Sequence, residues 1–217
     1  MLEDLVRELK ARLVGYARFV EDMAERSIGA VFDKEAGSLR EIIRSSEPAA
    51  NDRELELEQE CTSMIALHQP RARDLRSILM VLGMTNDLER MADHAVNIAE
   101  AGLRLLENPA ANPPDGLREM ARRAIGMVDR GIRAFVEESP EEARGVCADD
   151  GVVDDLAAEM LKDALIAMEK DPSLIGHEML LLKIASNLER IADLSTNICE
   201  DVIYLVEGRV IKHNKGD

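Results

Sequence analysis

The sequence is short of aromatic residues and of positive charge, and each shortage excludes a class of function. Aromatic residues make up 2% of the 217 residues and tryptophan is absent, which leaves few rings for stacking on bases or lining small-molecule pockets. Lys and Arg number 27 against 43 Asp and Glu, a formal net charge of −16. A field of that sign repels nucleic acid and anionic lipid, so direct nucleic-acid binding is not expected.

Long apolar runs and paired cysteines are also lacking. No apolar run approaches the roughly 20 residues that span a bilayer, and the start, Met1-Leu2-Glu3-Asp4, is acidic where a signal peptide is basic. Cys61, Cys147 and Cys199 are widely spaced and form no Cys-x-x-Cys pair, which is typical of buried thiols in a reducing cytoplasm. We expect a cytoplasmic protein whose membrane association is peripheral and only through partners.

Apolar residues at helical spacing run through almost the whole chain, and no stretch shows the alternation of a half-buried strand. The pattern predicts six helical regions: one ending near Ala30, then Lys34 to His68, Arg71 to about Glu107, Leu117 to Glu138, one starting at Ser139, and Leu174 to about Gly208. Pro48 predicts a kink or a new start, with Pro48 at a first helical position. Ser139 is predicted to cap the fifth helix, with Glu142 completing a capping box.

An internal repeat organises these helices. The segments Leu88–Glu100 and Leu188–Glu200 align at an offset of one hundred residues, with eight of thirteen positions identical. Each half is then a three-helix unit. The sequence predicts an all-α fold of two tandem three-helix bundles, residues 1–108 and 117–217, joined by a Pro- and Asn-rich linker at 109–116.

The repeated segment carries an acidic stripe on one helix face, within about 80° of arc. The stripe consists of Glu89, Asp93, Asn97 and Glu100 in the first half and of Glu189, Asp193, Asn197 and Glu200 in the second. The helices that must face it offer Glu54 and Glu58 in the first half and Asp150, Asp154, Asp155 and Glu159 in the second. Such stripes are either solvated faces or cation sites, because hard metals and iron prefer several oxygen ligands. Spacing alone leaves both interpretations open.

Catalysis has no support in the sequence. A ferritin-type di-iron enzyme needs Glu-x-x-His on two helices, and no Glu here is followed three residues later by His. His94 follows Asp93 but has Leu194 as its counterpart, so we interpret it as a surface or partly buried histidine and not as a ligand. A metal-free helical adaptor and, less favoured, a carboxylate-bridged metalloenzyme are kept as alternatives.

The chain resembles the PhoU family of phosphate-signalling regulators over almost its full length, and three of its segments carry the resemblance. Gln69–Arg76 resembles the family's link between its second and third helices. Leu88–Asp93 and Leu188–Asp193 are similar to its paired metal-site motifs, and Asn197–Gly208 resembles its C-terminal signature.

The resemblance implies a non-enzymatic negative regulator of phosphate uptake and starvation signalling. It implies contacts with the ATPase subunit of a phosphate ABC transporter and with a sensor histidine kinase, and metal ions, iron or zinc, on the acidic faces. The matching positions are Glu89, Asp93, Glu189 and Asp193, with Asn97, Glu100, Asn197 and Glu200 in second rank. The full set of candidate ligands adds Glu54, Glu58, Asp154 and Glu159. The oligomeric state, including a homodimer, is left open.

Two departures from the family pattern lie in the first half. Pro48 falls where family members run an unbroken helix, and Asn51 is taken to align with Asp154 of the second half. We therefore predict that the first half binds metal less well than the second.

Overall fold

Seven α-helices form the part of the chain that the structure, a computed structural model, describes: residues 2–107 and 112–208. They are α1 (Leu2–Asp33), α2 (Ala36–Glu41), α3 (Glu47–His68), α4 (Ala72–Glu107), α5 (Asp115–Glu137), α6 (Pro140–Lys170) and α7 (Ile175–Glu207). A π-helical segment, Ile42–Ser46, connects α2 to α3, and a 3-10 turn, Pro172–Leu174, precedes α7. No strand occurs in these residues, so the all-α prediction is confirmed. The short α2 and the π-helical segment begin the second of the six predicted regions.

The helices pack as two groups of three long helices. The first half contains α1, α3 and α4, and the second contains α5, α6 and α7. The halves meet where α4 lies against α7 and α1 lies against α5. A single apolar cluster runs through both halves and is built of Leu, Ile, Val, Met and Ala stripes, as the shortage of aromatic residues requires. Part of the predicted linker, residues 109–111, and the end of the chain, residues 209–217, lie outside the described residues, and the predicted domain limits stay a prediction.

Pro48 shapes the approach to α3. It lies in the first turn of α3, which begins at Glu47 directly after the π-helical segment. Because proline has no N–H and its ring clashes with the carbonyl four residues earlier, the turn that contains Arg44 cannot keep regular α geometry. A π turn widens the helix at this point without ending it. The predicted kink or new start occurs as a widened turn and not as a break, and Pro48 is the second residue of α3 and not the first as predicted.

The start of α6 is capped by one of the two predicted hydrogen bonds. The Ser139 hydroxyl accepts from the Glu142 backbone N–H at 3.3 Å, which confirms the N-cap. The prediction of the reciprocal hydrogen bond, from the Ser139 N–H to the Glu142 carboxylate, is wrong, since the Ser139 N–H donates to the Ala134 carbonyl at 2.9 Å. The Glu142 carboxylate instead accepts from Arg130 Nε at 2.7 Å, because a charge-assisted bond to a guanidinium is stronger than one to a neutral amide.

All three cysteines are free thiols; Cys61 and Cys199 are buried and Cys147 is half-buried. None of the described helices combines the length and the apolar character that crossing a bilayer requires.

Candidate functional site

Three aspartates of the second half form an acidic group between α6 and α7. Asp150 and Asp154 lie one turn apart on α6, and Asp193 approaches them from α7. One carboxylate oxygen from each lies within 4.8 Å of the other two. In residues 2–107 and 112–208 no other three His, Cys, Asp or Glu side chains offer ligand atoms this close together. We call this group the aspartate triplet.

The helical period explains why these side chains meet. Val146, Val153 and Met160 form the buried stripe of α6, and the spacing of four places Asp150 and Asp154 together on another face. On α7, Ile191 and Ala192 are buried, which leaves the acidic stripe at the edge of the contact with α6. The triplet therefore lies where two helices bury their apolar stripes and their polar edges meet.

Like charges at close range perturb the second-half carboxyls. Burial raises the pKa of Glu189, and the nearby charges of Asp154 and Asp193 raise it further. Burial and then the charge of Asp154 raise the pKa of Asp193, while Arg190 lowers it. The charged forms of Glu189 and Asp193 are thus destabilised by burial and by neighbouring acids in the absence of a counter-ion.

A related group lies between α3 and α4 in the first half. Burial raises the pKa of Glu54, followed by the charges of Glu58 and Asp93. Burial also raises the pKa of Glu89, followed by the charges of Asp93 and Glu54. We call Glu54, Glu89 and Asp93 the first-half cluster. Its members interact electrostatically, but they do not reach the close spacing found in the aspartate triplet.

Tyr16 of α1 adds a phenol to the first-half cluster. Its side chain is 2% exposed, and its hydroxyl has no hydrogen-bond partner among the described residues. Burial raises the pKa of Tyr16, and the charges of Glu54, Glu89 and Asp93 raise it further. Sequence reasoning missed this residue, because Tyr16 occupies a core position in the apolar stripe of α1 and nothing in that pattern distinguishes it.

The facing helices align differently from the prediction. Glu54 lies near Asp93 as Asp154 lies near Asp193, so Glu54 is the counterpart of Asp154 at the same offset of one hundred residues that relates the stripes. The alignment of Asn51 with Asp154 is wrong. A shift of three residues returns to nearly the same helix face, so the apolar period alone does not distinguish the two alignments. Asn51 is exposed on α3.

The remaining predicted ligands differ in how close they lie to the acidic groups. Asn97 and Asn197 are half-buried one turn beyond Asp93 and Asp193. A hydrogen bond with Cys199 lowers the pKa of the Cys147 thiol, and burial and the charges of Glu200 and Asp150 oppose that shift, so Glu200 lies near Cys147, as Asp150 of the triplet does. Glu100 and Glu159 lie away from the acidic groups. Glu100 pairs with Lys183 at 3.9 Å, and Glu159 lines a separate cavity.

His94 connects the two halves. Its Nδ1 lies 2.9 Å from Asn187 Oδ1, and Asn187 Nδ2 donates to the Lys183 carbonyl at 2.7 Å. Since the Asn187 oxygen only accepts, the Nδ1 of His94 donates. Burial lowers the pKa of His94, and the hydrogen bond with Asn187 opposes that shift. The side chain is half-buried, as the sequence predicted.

Two arginines of the repeat lie near the acidic groups, and one of them, Arg90, acts on carboxyls of both halves. Arg90 lowers the pKa of Glu89 and also that of Asp193 across the contact between the halves, although burial and neighbouring acids dominate both. Arg190 acts in the same way on Glu189. Sequence reasoning passed over these residues, although both stand in the repeated Leu-Glu-Arg segment and that repetition was a usable signal.

The donors of the aspartate triplet suit a hard cation. All three ligand atoms are carboxylate oxygens, the type that Mg²⁺, Ca²⁺, Mn²⁺ and iron bind well. A bound cation would remove the mutual repulsion that raises the pKa values around it. The residues present therefore fit the metal that the resemblance implies.

Comparison with known proteins gives the same family in sequence and in structure. The model of the PhoU domain matches the chain twice, at residues 13–102 and 117–202. A phosphate-specific transport system accessory protein PhoU homolog from Aquifex aeolicus is 32% identical over 208 residues, which cover 96% of this chain and 94% of the relative. PhoU homolog 2 of Thermotoga maritima is 29% identical over 98% of this chain and 90% of the relative.

Solved structures agree with these sequence matches. The crystal structure of PhoU from Pseudomonas aeruginosa superposes with a TM-score of 0.92 at 27% identity and covers 96% of this chain and 100% of that one. The phosphate transport system regulatory protein PhoU from Streptococcus pneumoniae gives 0.90 at 29% identity, with 97% and 99% covered. The repeat, the helical architecture and the two domain matches lead to one conclusion: this chain belongs to the PhoU family.

Proposed function

We propose that this chain is a non-enzymatic accessory protein of a phosphate transport system that restrains uptake and starvation signalling in the cytoplasm. The support is the family membership and the names of the relatives, which call them accessory or regulatory proteins of phosphate transport. Those names agree with the prediction that the protein is not an enzyme. Its partners in this proposal are the ATPase subunit of the transporter and a sensor histidine kinase.

The proposal includes metal binding at the aspartate triplet. The observation that carries it is the meeting of three carboxylate oxygens within 4.8 Å. Burial and like charge raise the pKa of Asp193, a member of the triplet, and that of the neighbouring Glu189. Acids that only served solubility would gain nothing from such proximity, since like charges placed together destabilise the folded state. The first-half cluster is the second and weaker site in this proposal.

Iron fits the donor set better than zinc. Zinc sites in proteins draw mainly on Cys and His, whereas the triplet offers carboxylate oxygen alone. His94, the histidine next to the stripe, is directed at Asn187. We therefore propose iron at the triplet, with Glu189 and Asn197 as the neighbours able to complete the coordination.

Elemental analysis of protein purified without chelator or an affinity metal tests the metal proposal. We expect iron in the preparation, and we expect Asp193→Asn to lose most of it. Asp155→Asn is the matched control, because Asp155 is exposed on α6 beside Asp154 but lies outside the triplet. A wild-type preparation free of metal would favour the metal-free adaptor, and equal losses in the two variants would place the metal outside the triplet.

Binding to the purified ATPase subunit tests the partner proposal separately. We expect a complex by surface-immobilised binding with the metal-loaded protein, weakened after the metal is removed with a chelator. The Asp155→Asn protein is expected to bind as the wild type does. Failure of both metal-loaded and metal-free protein to bind the subunit would contradict the proposed regulatory contact while leaving the metal site intact.

A further inference from the structure

Two of the three cysteines lie together between α6 and α7, although they are far apart in the sequence. The Cys147 thiol donates to the Thr196 carbonyl oxygen of α7 with its sulfur at 4.0 Å, and Cys199 follows Thr196 by one turn on the same helix. Because a helical side chain leans back over the turn before its own Cα, the Cys199 thiol covers this same turn. The two thiols accordingly form a hydrogen bond, in which Cys199 donates to the Cys147 sulfur. The packing of α6 on α7 thus brings two sulfur atoms into contact.

The two thiols differ in their access to solvent. Cys147 is half-buried, whereas Cys199 is 0% exposed. The far side of Cys199 is closed by α5, where a Cβ added to Gly131 would lie 3.5 Å from Cys199 Sγ. A small molecule from solvent therefore meets Cys147 first, and Cys199 lies behind it.

The surroundings of the pair favour a disulfide over a metal site. Zinc in proteins takes at least three protein ligands. In residues 2–107 and 112–208, no third His, Cys, Asp or Glu offers a ligand atom within 4.8 Å of both sulfur atoms. A reachable thiol with a second thiol in contact behind it is instead the arrangement of redox-sensing cysteines, in which the second thiol resolves the oxidised form of the first.

We propose that Cys147 and Cys199 are a reversible redox pair, which a peroxide oxidises to a disulfide that links α6 to α7. Disulfides in a reducing cytoplasm are transient and serve catalysis or redox sensing, so the free thiols are the resting state of this pair. Asp150 follows Cys147 by one turn on α6, and Asp193 lies fewer than two turns before Cys199 on α7. The disulfide would therefore tie together the two helices that bring the aspartate triplet together.

The chemistry takes two steps, with hydrogen peroxide as the oxidant. The Cys147 thiolate attacks one peroxide oxygen, the O–O bond breaks, and the departing hydroxide takes up the thiol proton to leave as water. The Cys199 sulfur then attacks the sulfur of the Cys147 sulfenic acid. The S–S bond forms, the S–O bond breaks, and the hydroxide leaves as a second water with the Cys199 proton. Two thiols and one peroxide thus give one disulfide and two waters.

Peptide mapping of the full chain after peroxide treatment tests the proposal. The protein is reduced and kept in chelator, so that bound iron takes no part and the result is independent of the metal proposal. We expect the three free thiols to fall to one and the intact mass to fall by two hydrogen atoms. Trypsin should then release residues 145–162 joined to residues 191–209, the peptides that contain Cys147 and Cys199. Dithiothreitol should restore all three thiols.

Single-cysteine variants test the order of the two steps. Cys199→Ala should stop at the sulfenic acid of Cys147, which dimedone labels. Cys147→Ala should leave Cys199 reduced, because the buried thiol has lost the neighbour that reacts first. Cys61→Ala is the matched control, since Cys61 is a buried thiol of α3, and it should form the disulfide as the wild type does. The peptide map of the wild type decides the proposal even if a variant does not fold.

Four results would overturn the proposal. A wild-type protein that keeps three thiols in peroxide would show that the pair does not react. A disulfide between two chains, seen as a dimer on a non-reducing gel, would show that Cys199 does not resolve Cys147. Oxidation of Cys61 as fast as that of Cys147 would show reaction through unfolding and not at a built pair. Oxidation of Cys199 that persists in Cys147→Ala would contradict the order of the steps.

Discussion

The two halves of the molecule carry the same acidic stripe but oppose it with different side chains. The aspartate triplet of the second half contains Asp150, whose counterpart at the offset of one hundred is the buried Ala50. The first half instead has Glu58, whose counterpart is Ala158, and the buried phenol of Tyr16. The repeat therefore preserves the helix that carries the acidic stripe, and the side chains of the facing helix determine whether the carboxylates converge.

The halves also differ in how tightly that motif helix is held. In the first half Gly102 of α4 lies under Val31 of α1 and Leu39 of α2, so close that a Cβ would approach Val31 Cγ2 at 2.6 Å. The corresponding position of α7 is the buried Val202. The second half has no counterpart of α2, since α5 leads to α6 through Glu138 and Ser139 alone. Because position 102 of α4 has no side chain, the extra helix α2 packs closely against α4 in the first half.

The largest expected effect separates the two acidic groups. Asp193→Asn replaces one of the three converging carboxylates by a neutral amide and should lower metal affinity at least about tenfold, since even residues that merely support ligands contribute that much. Asp93→Asn should lose less, because the first-half cluster does not converge. Calorimetric titration of both variants with iron measures the difference. Equal losses would contradict the asymmetry between the halves.

Gly102→Ala is expected to destabilise the protein by about 1–3 kcal/mol, because overpacking a closed contact forces its neighbours to move. The facing Val31 is buried and β-branched, so its methyl group cannot turn away easily. Gly131→Ala in α5 is the control from the second half, where the nearest atom, Cys199 Sγ, lies at an ordinary 3.5 Å. Urea unfolding of both variants measures the effect, and a Gly102→Ala protein as stable as Gly131→Ala would show that α2 packs more loosely than described.

Tyr16→Phe tests what distinguishes the first-half cluster. Because the Tyr16 hydroxyl is buried without a hydrogen-bond partner among the described residues, its removal should stabilise the metal-free protein by about 1 kcal/mol. The midpoint of thermal unfolding should then rise by about 2–4 °C. Tyr204→Phe, at an exposed position of α7, should change nothing.

The stability of Tyr16→Phe in the presence of iron provides a second measurement. If the phenol assists binding, Tyr16→Phe should lose stabilisation by iron that the wild type shows. A Tyr16→Phe protein less stable than the wild type even in chelator would mean that the hydroxyl has a partner, and the difference between the halves would then rest on Asp150 and Glu58.

The sequence was sufficient for the elements that depend on periodicity and duplication. The offset between Leu88–Glu100 and Leu188–Glu200 predicted two equivalent bundles, and Pro48 and Ser139 located two helix starts through the chemistry of proline and of the cap. These features are local, so a single sequence contains them. The acids of α6 that could face the stripe, Asp150 and Asp154 among them, also followed from their spacing.

The sequence was insufficient where the role of a residue depended on which side chains of other helices it contacts. Asn51 and Glu54 lie on nearly the same face of α3, and only the packing of α3 on α4 shows which of them meets Asp93. Tyr16 is indistinguishable from a core residue until its hydroxyl is located. Glu142 satisfied the capping-box pattern, but Arg130 of another helix provided a stronger partner.

The smallest expected effect is a difference in pH dependence between the halves. In metal-free protein the pKa of Glu189 and that of Asp193 are raised above the ordinary values of 4.5 and 3.8. The folded state therefore holds protons that the unfolded state has released. The stability this contributes is fully present below the ordinary pKa values and is lost as the pH rises through the raised ones. Because both groups are partly exposed, solvent screening limits the effect to less than about 1 kcal/mol.

The double variant Glu189→Gln/Asp193→Asn cannot release these protons, so in chelator its unfolding midpoint should fall less than that of the wild type as the pH rises from 4 to 7, a range chosen to bracket ordinary carboxyl values. Glu54→Gln/Glu89→Gln makes the same comparison in the first half, where burial likewise raises both pKa values. Iron should reverse the sign in the wild type, because a metal binds the deprotonated carboxylates and so stabilises the folded protein more as the pH rises. The half whose variant weakens that reversal more is the half that holds the metal more tightly, and a reversal undiminished in both variants would place the metal outside the two acidic groups.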